Sequence, residues 1–373
     1  MAGSTYGTIF RVMTWGESHG KGIGVVVDGC PAGLPLDESD IQAYLNRRKP
    51  GQSKFTTARQ EADQVEILSG VFEGRTTGTP IAMEVRNTDQ RSRDYGNIMD
   101  TYRPGHADYT FDAKYGFRDY RGGGRSSGRE TTARVAAGAV AGKLLASLGI
   151  TCTAYTKSIG PIEVSPERFD LAQITENRLY MPDGEAAKLA EAYLQEQMGK
   201  CDSCGGVVEC RVSGLPAGIG EPVFEKLDAN LAKAMLSIGA VKGFEIGDGF
   251  AAARSCGSQN NDAFVINGGE VAKATNHSGG TLGGMSDGAE LIFRAAFKPT
   301  PSIAQPQQTV TRFGEETELL IKGRHDPVIV PRAVVVVEAM ANLTICDLLF
   351  LSMTSRLDKI QAFFGKNTGG FEY

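Results

Sequence analysis

Ile23-Gly-Val-Val-Val-Asp-Gly-Cys-Pro-Ala-Gly-Leu-Pro35 has a counterpart far along the chain, Gly206-Val-Val-Glu-Cys-Arg-Val-Ser-Gly-Leu-Pro-Ala-Gly-Ile219. Each begins with a valine-rich run near glycine, the pattern of a short strand. Each passes through Pro-Ala-Gly into a helix-like segment, residues 37–48 in the first case and 221–235 in the second. Strand, turn and helix in the same order twice predict internal duplication of a β-then-α unit. Coincidence is the competing explanation, because Pro-Ala-Gly is a common turn.

Working outward, residues 8–14 read as a strand, separated from 23–28 by the loop Trp15-Gly-Glu-Ser-His-Gly20. Residues 131–148 read as a helix, with Ala137, Val140, Leu144 and Leu148 on one face and Gly149 as its C-cap. A polar helix is expected over 183–199, and an apolar one from Pro331 to about Met353. Arg332, Glu338 and Asp347 interrupt the apolar run, which makes it core rather than a membrane span. The expected fold class is α/β of the α+β type: a β-α-β sandwich with helices between antiparallel sheets, as one domain over residues 1–373.

Composition narrows the function classes. A net charge of −5 gives no overall reason to bind nucleic acid. The seven cysteines are an odd, scattered set, which does not read as a disulfide framework. The single Cys201-Asp-Ser-Cys204 lacks the second pair that structural zinc needs, so no metal is expected. The N-terminus has no apolar signal region. These features predict a reduced, cytoplasmic, soluble protein. Glycine, at 47 residues, exceeds ordinary usage and clusters at 20–24, 122–128, 279–288 and 365–370. Such clusters mark tight turns or backbone lying against a ligand.

The four histidines are His19, His106, His277 and His325, all in polar, loop-like segments. Imidazole suits proton transfer near neutral pH. Arg121-Gly-Gly-Gly-Arg-Ser-Ser-Gly-Arg-Glu-Thr-Thr-Ala-Arg134 combines glycine backbone with forked donors at Arg125 and Arg129. Ser127 and Glu130 have capping-box spacing, so a helix N-terminus should face the loop and favour an anion. Further basic runs lie at 47–54 and 322–327. Several basic clusters in an acidic chain suggest a small polyanion held from several sides. Neither an ATP P-loop nor a dinucleotide-binding fingerprint is present.

At these same residues the sequence resembles the chorismate synthase family. Gly16-Glu-Ser-His-Gly20 through Pro31, Gly124 through Val135, and Arg324-His-Asp-Pro-Val328 through Met340 carry the likeness, and Arg103-Pro-Gly-His-Ala-Asp108 adds to it. The resemblance implies a 1,4-trans elimination of phosphate from 5-enolpyruvylshikimate 3-phosphate, giving chorismate, with reduced FMN present. It implies a homotetramer, with the flavin reduced either by NADPH on the protein itself or by an outside reductase. His19, His106 and Asp326 match the catalytic positions: His19 for protonation of reduced flavin, His106 for departure of phosphate, Asp326 for action with flavin N5 as the substrate proton is lost. Flavin contacts would fall on Arg125, Ser126, Ser127, Gly239, Ala240, Gly283, Lys298, Pro299, Thr300, Pro301, Ser302 and Arg324. Arg48, Lys54 and Arg129 would bind substrate or NADP. Two rivals rest on the same residues, a flavin reductase and a non-catalytic phosphoester-binding protein.

Overall fold

The computed structural model describes residues 3–51, 62–88, 98–121, 123–321 and 326–365. Lys54, Arg324 and His325 lie outside the described residues. The first half builds an antiparallel sheet from β1 (Thr5–Tyr6), β2 (Arg11–Gly16), β3 (Gly22–Asp28), β4 (Val65–Ile67) and β7 (Ile81–Arg86), in the order β1-β2-β3-β7-β4. The short hairpin β5 (Val71–Phe72) and β6 (Arg75–Thr76) precedes β7. The second half repeats the plan with β8 (Thr151–Ile159), β9 (Ile162–Glu163), β10 (Gly206–Ser213), β11 (Val241–Ile246) and β16 (Leu291–Phe297), ordered β11-β16-β10-β8-β9. Its own short hairpin is β14 (Thr281–Leu282) with β15 (Met285–Ser286). A hairpin of β12 (Phe264–Asn267) and β13 (Glu270–Lys273) is an insertion in this copy, and β17 (Gln307–Val310) pairs with β18 (Glu316–Leu319) after it.

The duplication extends to single hydrogen bonds. Thr76 Oγ1 donates to Pro31 O (2.6 Å) and accepts from Leu34 N (3.0 Å). Ser286 Oγ donates to Pro216 O (2.6 Å) and accepts from Ile219 N (2.9 Å). Gly33 N donates to Thr76 O and Gly218 N to Ser286 O, both at 2.8 Å. Each Pro-Ala-Gly turn is thus locked by a hydroxyl from its own half's short hairpin. Coincidence of a common turn does not produce that agreement.

Helices fill the space between the sheets. These are α1 (Glu38–Arg48), α3 (Thr131–Ser147), α5 (Leu227–Leu236) and α7 (Val330–Ser352), while α2 (Asp108–Tyr115), α4 (Gly184–Gly199), α6 (Gly257–Asn260) and α8 (Leu357–Phe364) lie outside that layer. α3 packs on the first sheet, α7 on the second, and the two helices pack on each other. Their closest approach is at Gly138, where an added Cβ would overlap Ala339 and come within 2.8 Å of its carbonyl oxygen. Alanine favours helices over glycine by about 1 kcal/mol, whereas overpacking costs about 1–3 kcal/mol. Backbone cannot step aside as a side chain can, so the clash prevails. Gly138→Ala is expected to destabilise by about 2 kcal/mol, read from the denaturant midpoint at unchanged slope.

α7 is long and apolar enough to cross a membrane, but here it is core, buried along most of its length. Its charges meet distant partners. Asp347 accepts the backbone N–H groups of Thr8 (2.9 Å), Ile9 (2.7 Å) and Phe10 (3.0 Å). That capture corrects the strand expected over 8–14: those N–H groups are unavailable for pairing, and β2 starts at Arg11. The same strand runs on through Trp15 and Gly16, into the expected loop. Trp15 lies opposite Gly24 in β3, where the missing side chain makes room for the indole.

Two further corrections concern helix starts. α5 begins at Leu227, not 221, because Glu221 pairs with Glu225 in a bridge and Leu227 N is held by Gly284 O (2.8 Å). Ser127 caps only a 3₁₀ turn, Gly128–Glu130, by accepting from Arg129 N (3.3 Å). Glu130 does not reach back to complete a capping box. Its carboxylate takes Arg134 Nε (2.8 Å) and Thr14 Oγ1 (3.3 Å), and α3 starts at Thr131.

Candidate active site

One cleft of about 2060 Å³ gathers most of the expected residues. His19, His106 and Asp326 line it, as do Arg48, Arg125, Ser126, Ser127, Arg129, Gly239, Ala240, Lys298, Thr300, Pro301 and Ser302. Pro299 sits in the same wall segment without itself lining the cleft. Gly283 is not brought there; it lies in the turn between β14 and β15. His277 is also elsewhere: its Nδ1 is 2.8 Å from Asp248, beside the inserted hairpin.

His106 sits on the turn before α2, and its ring is fixed at both nitrogens. Nδ1 lies 3.0 Å from Pro104 O and Nε2 2.9 Å from Ser302 Oγ. A carbonyl oxygen only accepts, so Nδ1 carries the proton and Nε2 accepts from the Ser302 hydroxyl. Burial, reinforced by the neighbouring charge of Arg103, lowers the imidazole to about 4. His106 is therefore neutral at neutral pH, with Nε2 a weak base held by the Ser302 hydroxyl. Gly105, at φ +71, brings the turn against Pro301, where a Cβ would come within 2.7 Å of the proline ring. Lys298 Nζ closes the contact by donating to Gly105 O (3.0 Å).

The depressed His106 value has a stability consequence. Its ordinary value is near 6.5, so between about 4 and 6.5 the unfolded chain binds the proton that the folded chain refuses. Stability then falls as pH drops through that window. His106→Asn is expected to flatten this part of the stability–pH curve, measured by denaturant midpoints at pH 7, 6, 5 and 4.5.

Below the cleft floor lies a buried ion cluster. Asp63 receives Arg48 Nη1 at 2.7 Å and also binds Arg129 Nη1. All three side chains are at least 96% buried. Arg48 donates in addition to Thr131 Oγ1 (3.1 Å) and Gly128 O (2.9 Å). Burial lowers its guanidinium to about 10, which still leaves it charged at neutral pH. Two cations against one carboxylate leave a net positive charge beneath the cleft. Arg129 Nε donates to Asn87 Oδ1 (2.9 Å), and Asn87 Nδ2 donates to Glu17 O and Gly20 O, both at 2.9 Å. The His19 loop is thereby tied to the arginine cluster. Arg121 holds Asp119 below the usual carboxylate range, and the nearby His19 imidazole adds to the effect.

Arg125 is less available than its sequence setting suggests. Its guanidinium clamps β2 through Thr14 Oγ1 (2.6 Å) and Gly16 O (3.1 Å). Asp326 faces Arg332 at 2.6 Å, and Arg332 Nε donates to Arg48 O (3.0 Å). Sequence reasoning gives no sign of Asp63 or Asn87, whose partners are assembled only by the fold.

Two observations bear on a flat cofactor. Gly128 and Gly239 line the cleft with ordinary backbone angles, and an added Cβ at either would meet nothing within 4 Å. Packing within the chain therefore does not call for glycine there, whereas a ligand lying on the backbone would. Thr300 Oγ1 is buried without a hydrogen bond to any described residue, a donor left for something outside the chain. These residues fit a flavin mononucleotide.

The chain as a whole is similar to proteins of one family. The family model described as chorismate synthase matches residues 10–350. A chorismate synthase from Agathobacter rectalis is 66% identical over 366 residues, covering 98% of this chain and 100% of that one. Another, from Lachnospira eligens, is 65% identical with the same coverage. A crystal structure of chorismate synthase shares 33% identity at a TM-score of 0.74, covering 96% of this chain and 97% of the other. With matches of this length and identity laid on a shared fold, this chain belongs to the chorismate synthase family of carbon–oxygen lyases.

Proposed function

We propose that this cleft carries out the reduced-FMN-dependent 1,4-trans elimination of phosphate from 5-enolpyruvylshikimate 3-phosphate, giving chorismate. The observation that carries the reading is the convergence of His19, His106 and Asp326 on one cleft floored by buried guanidinium groups. The overall step breaks a C–H and a C–O bond and forms one C=C bond. The proton and the phosphate leave, with no net oxidation. Reduced FMN, when bound, would supply electron density toward the breaking C–O bond.

The chain's own groups do the rest. Arg48 and Arg129, held by Asp63, place positive charge where phosphate charge grows in the transition state. His106 Nε2, neutral before substrate arrives, gains proton affinity beside a phosphate dianion and assists its departure. His19 would serve the protonation of the reduced flavin, and Asp326 would act with flavin N5 as the proton is lost from carbon, with Arg332 holding its carboxylate in place. Gly239, Ala240, Ser126, Ser127 and the segment from Lys298 to Ser302 would hold the flavin, joined by Arg125 and Arg324. Gly283, outside this cleft, would reach flavin only from a second copy of the chain.

Homotetramer assembly in the cytoplasm, with flavin reduced by NADPH or by an external donor and with Arg48 and Lys54 as NADP contacts, belongs to the same reading. Support for self-association comes from the inserted hairpin, where Phe264, Ile266 and Val271 are 66%, 72% and 70% exposed. An anaerobic assay with dithionite-reduced FMN and the enolpyruvyl substrate should show enzyme-dependent phosphate release. Absence of phosphate would sink the assignment.

A further inference from the structure

A second cavity, of about 630 Å³, flanks the same helix as the cleft. Pro331 and Glu338, seven residues apart, share one face of α7 and line this cavity. Ala333 and Val336 share the opposite face and line the cleft. Arg332 lines both. α1 divides in the same way at its end, Arg47 facing the second cavity and Arg48 the cleft.

The charges of this cavity are unequally committed. Arg47 and Glu338 satisfy one another through two hydrogen bonds, 2.7 and 2.9 Å. Arg332 gives Nε to Arg48 O and Nη1 to Asp326, while its Nη2 bonds no described residue. Arg178, on the exposed rim, has no hydrogen bond or ion pair with a described residue. Leu171, Ile174, Ala154 and Pro331 provide an apolar wall. The volume is that of a small-molecule site, where an apolar lining with a few polar groups is the usual design. Glu176 and Glu338 add negative charge, which weighs against a dianion such as phosphate.

We propose that this second cavity binds a small organic monocarboxylate with an apolar body, its carboxylate on Arg178 and Arg332. The bound carboxylate takes Arg332 Nη2 while Nη1 stays on Asp326. Binding is therefore coupled to the cleft through one guanidinium, which then shares its charge between two carboxylates. This coupling, unlike the binding, rests on the lyase reading.

The test uses 4-fluorobenzoate as probe and ¹⁹F line broadening on the full-length protein. Saturable broadening is expected for the wild type. Arg178→Ala should weaken it about tenfold, the scale of one charge-assisted contact, and Thr175→Trp, which fills the cavity, should abolish it. Inorganic phosphate should not displace the probe. Absence of saturable broadening, broadening indifferent to both variants, or displacement by phosphate would each overturn the site. In phosphate-release kinetics the probe should lower kcat at unchanged KM for the phosphoester. Competition with the phosphoester would overturn the proposal. Binding with unchanged kcat would overturn the coupling and leave the site standing. Because the binding arm contains no substrate, failure of the lyase reading is separately visible.

Discussion

His106→Ala is expected to lower turnover on the enolpyruvyl substrate about 10²–10⁴-fold, the range for loss of a positioned acid–base group. The fold should survive, because His106 lies on a turn outside the sheet–helix core and contacts Pro104 and Ser302 by its ring alone. KM should change less than kcat. The neutral ring contributes little charge to ground-state binding, and its effect is concentrated where the phosphate departs. Ser302→Ala, which removes the hydroxyl facing Nε2, should cost far less. Anaerobic steady-state kinetics with fully reduced FMN would check both. Wild-type turnover by His106→Ala would exclude the role given to this residue.

Asp63→Ala should have the largest effect on stability. Removing one member of a buried ion cluster leaves uncompensated charge, at about 3–5 kcal/mol. Here two guanidinium groups, Arg48 and Arg129, lose their shared carboxylate. Asp63 also holds φ +47, a left-handed conformation that alanine adopts poorly and asparagine tolerates. Asp63→Asn therefore separates charge from backbone: it should retain the fold better than alanine while still lowering kcat/KM. Arg129 would lose its anchor, and with it the bond to Asn87 that orients the His19 loop. Chemical denaturation of both variants, followed by kinetics on whichever folds, would test this. Equal stability of Asp63→Ala and wild type would contradict the account of the cluster.

Local signals in the sequence carried much of the architecture. Valine runs, the paired Pro-Ala-Gly turns and the apolar run after Pro331 all depend on neighbours within a few residues. What local reading missed involves long-range pairing. Nothing near Asp347 says that its carboxylate will take up the backbone of residues 8–10, across 337–339 positions. Glu130 stands at the right spacing for a capping box, but Arg134 and Thr14 compete for it more effectively. Asp63 resembles a solvated charge until the fold brings Arg48 and Arg129 to it. Glycine-flanked histidine was an incomplete guide: His19 and His106 reach the cleft, while His277 joins Asp248 elsewhere.

The central claim is redox-neutral elimination in the cleft of His19 and His106. Its most direct test is the stoichiometry of phosphate to flavin under strict anaerobiosis, starting from a fixed amount of reduced FMN and excess substrate. The account predicts many phosphates released per flavin, one chorismate for each, and flavin still reduced at the end. Phosphate or product appearing only in step with flavin oxidation would contradict it.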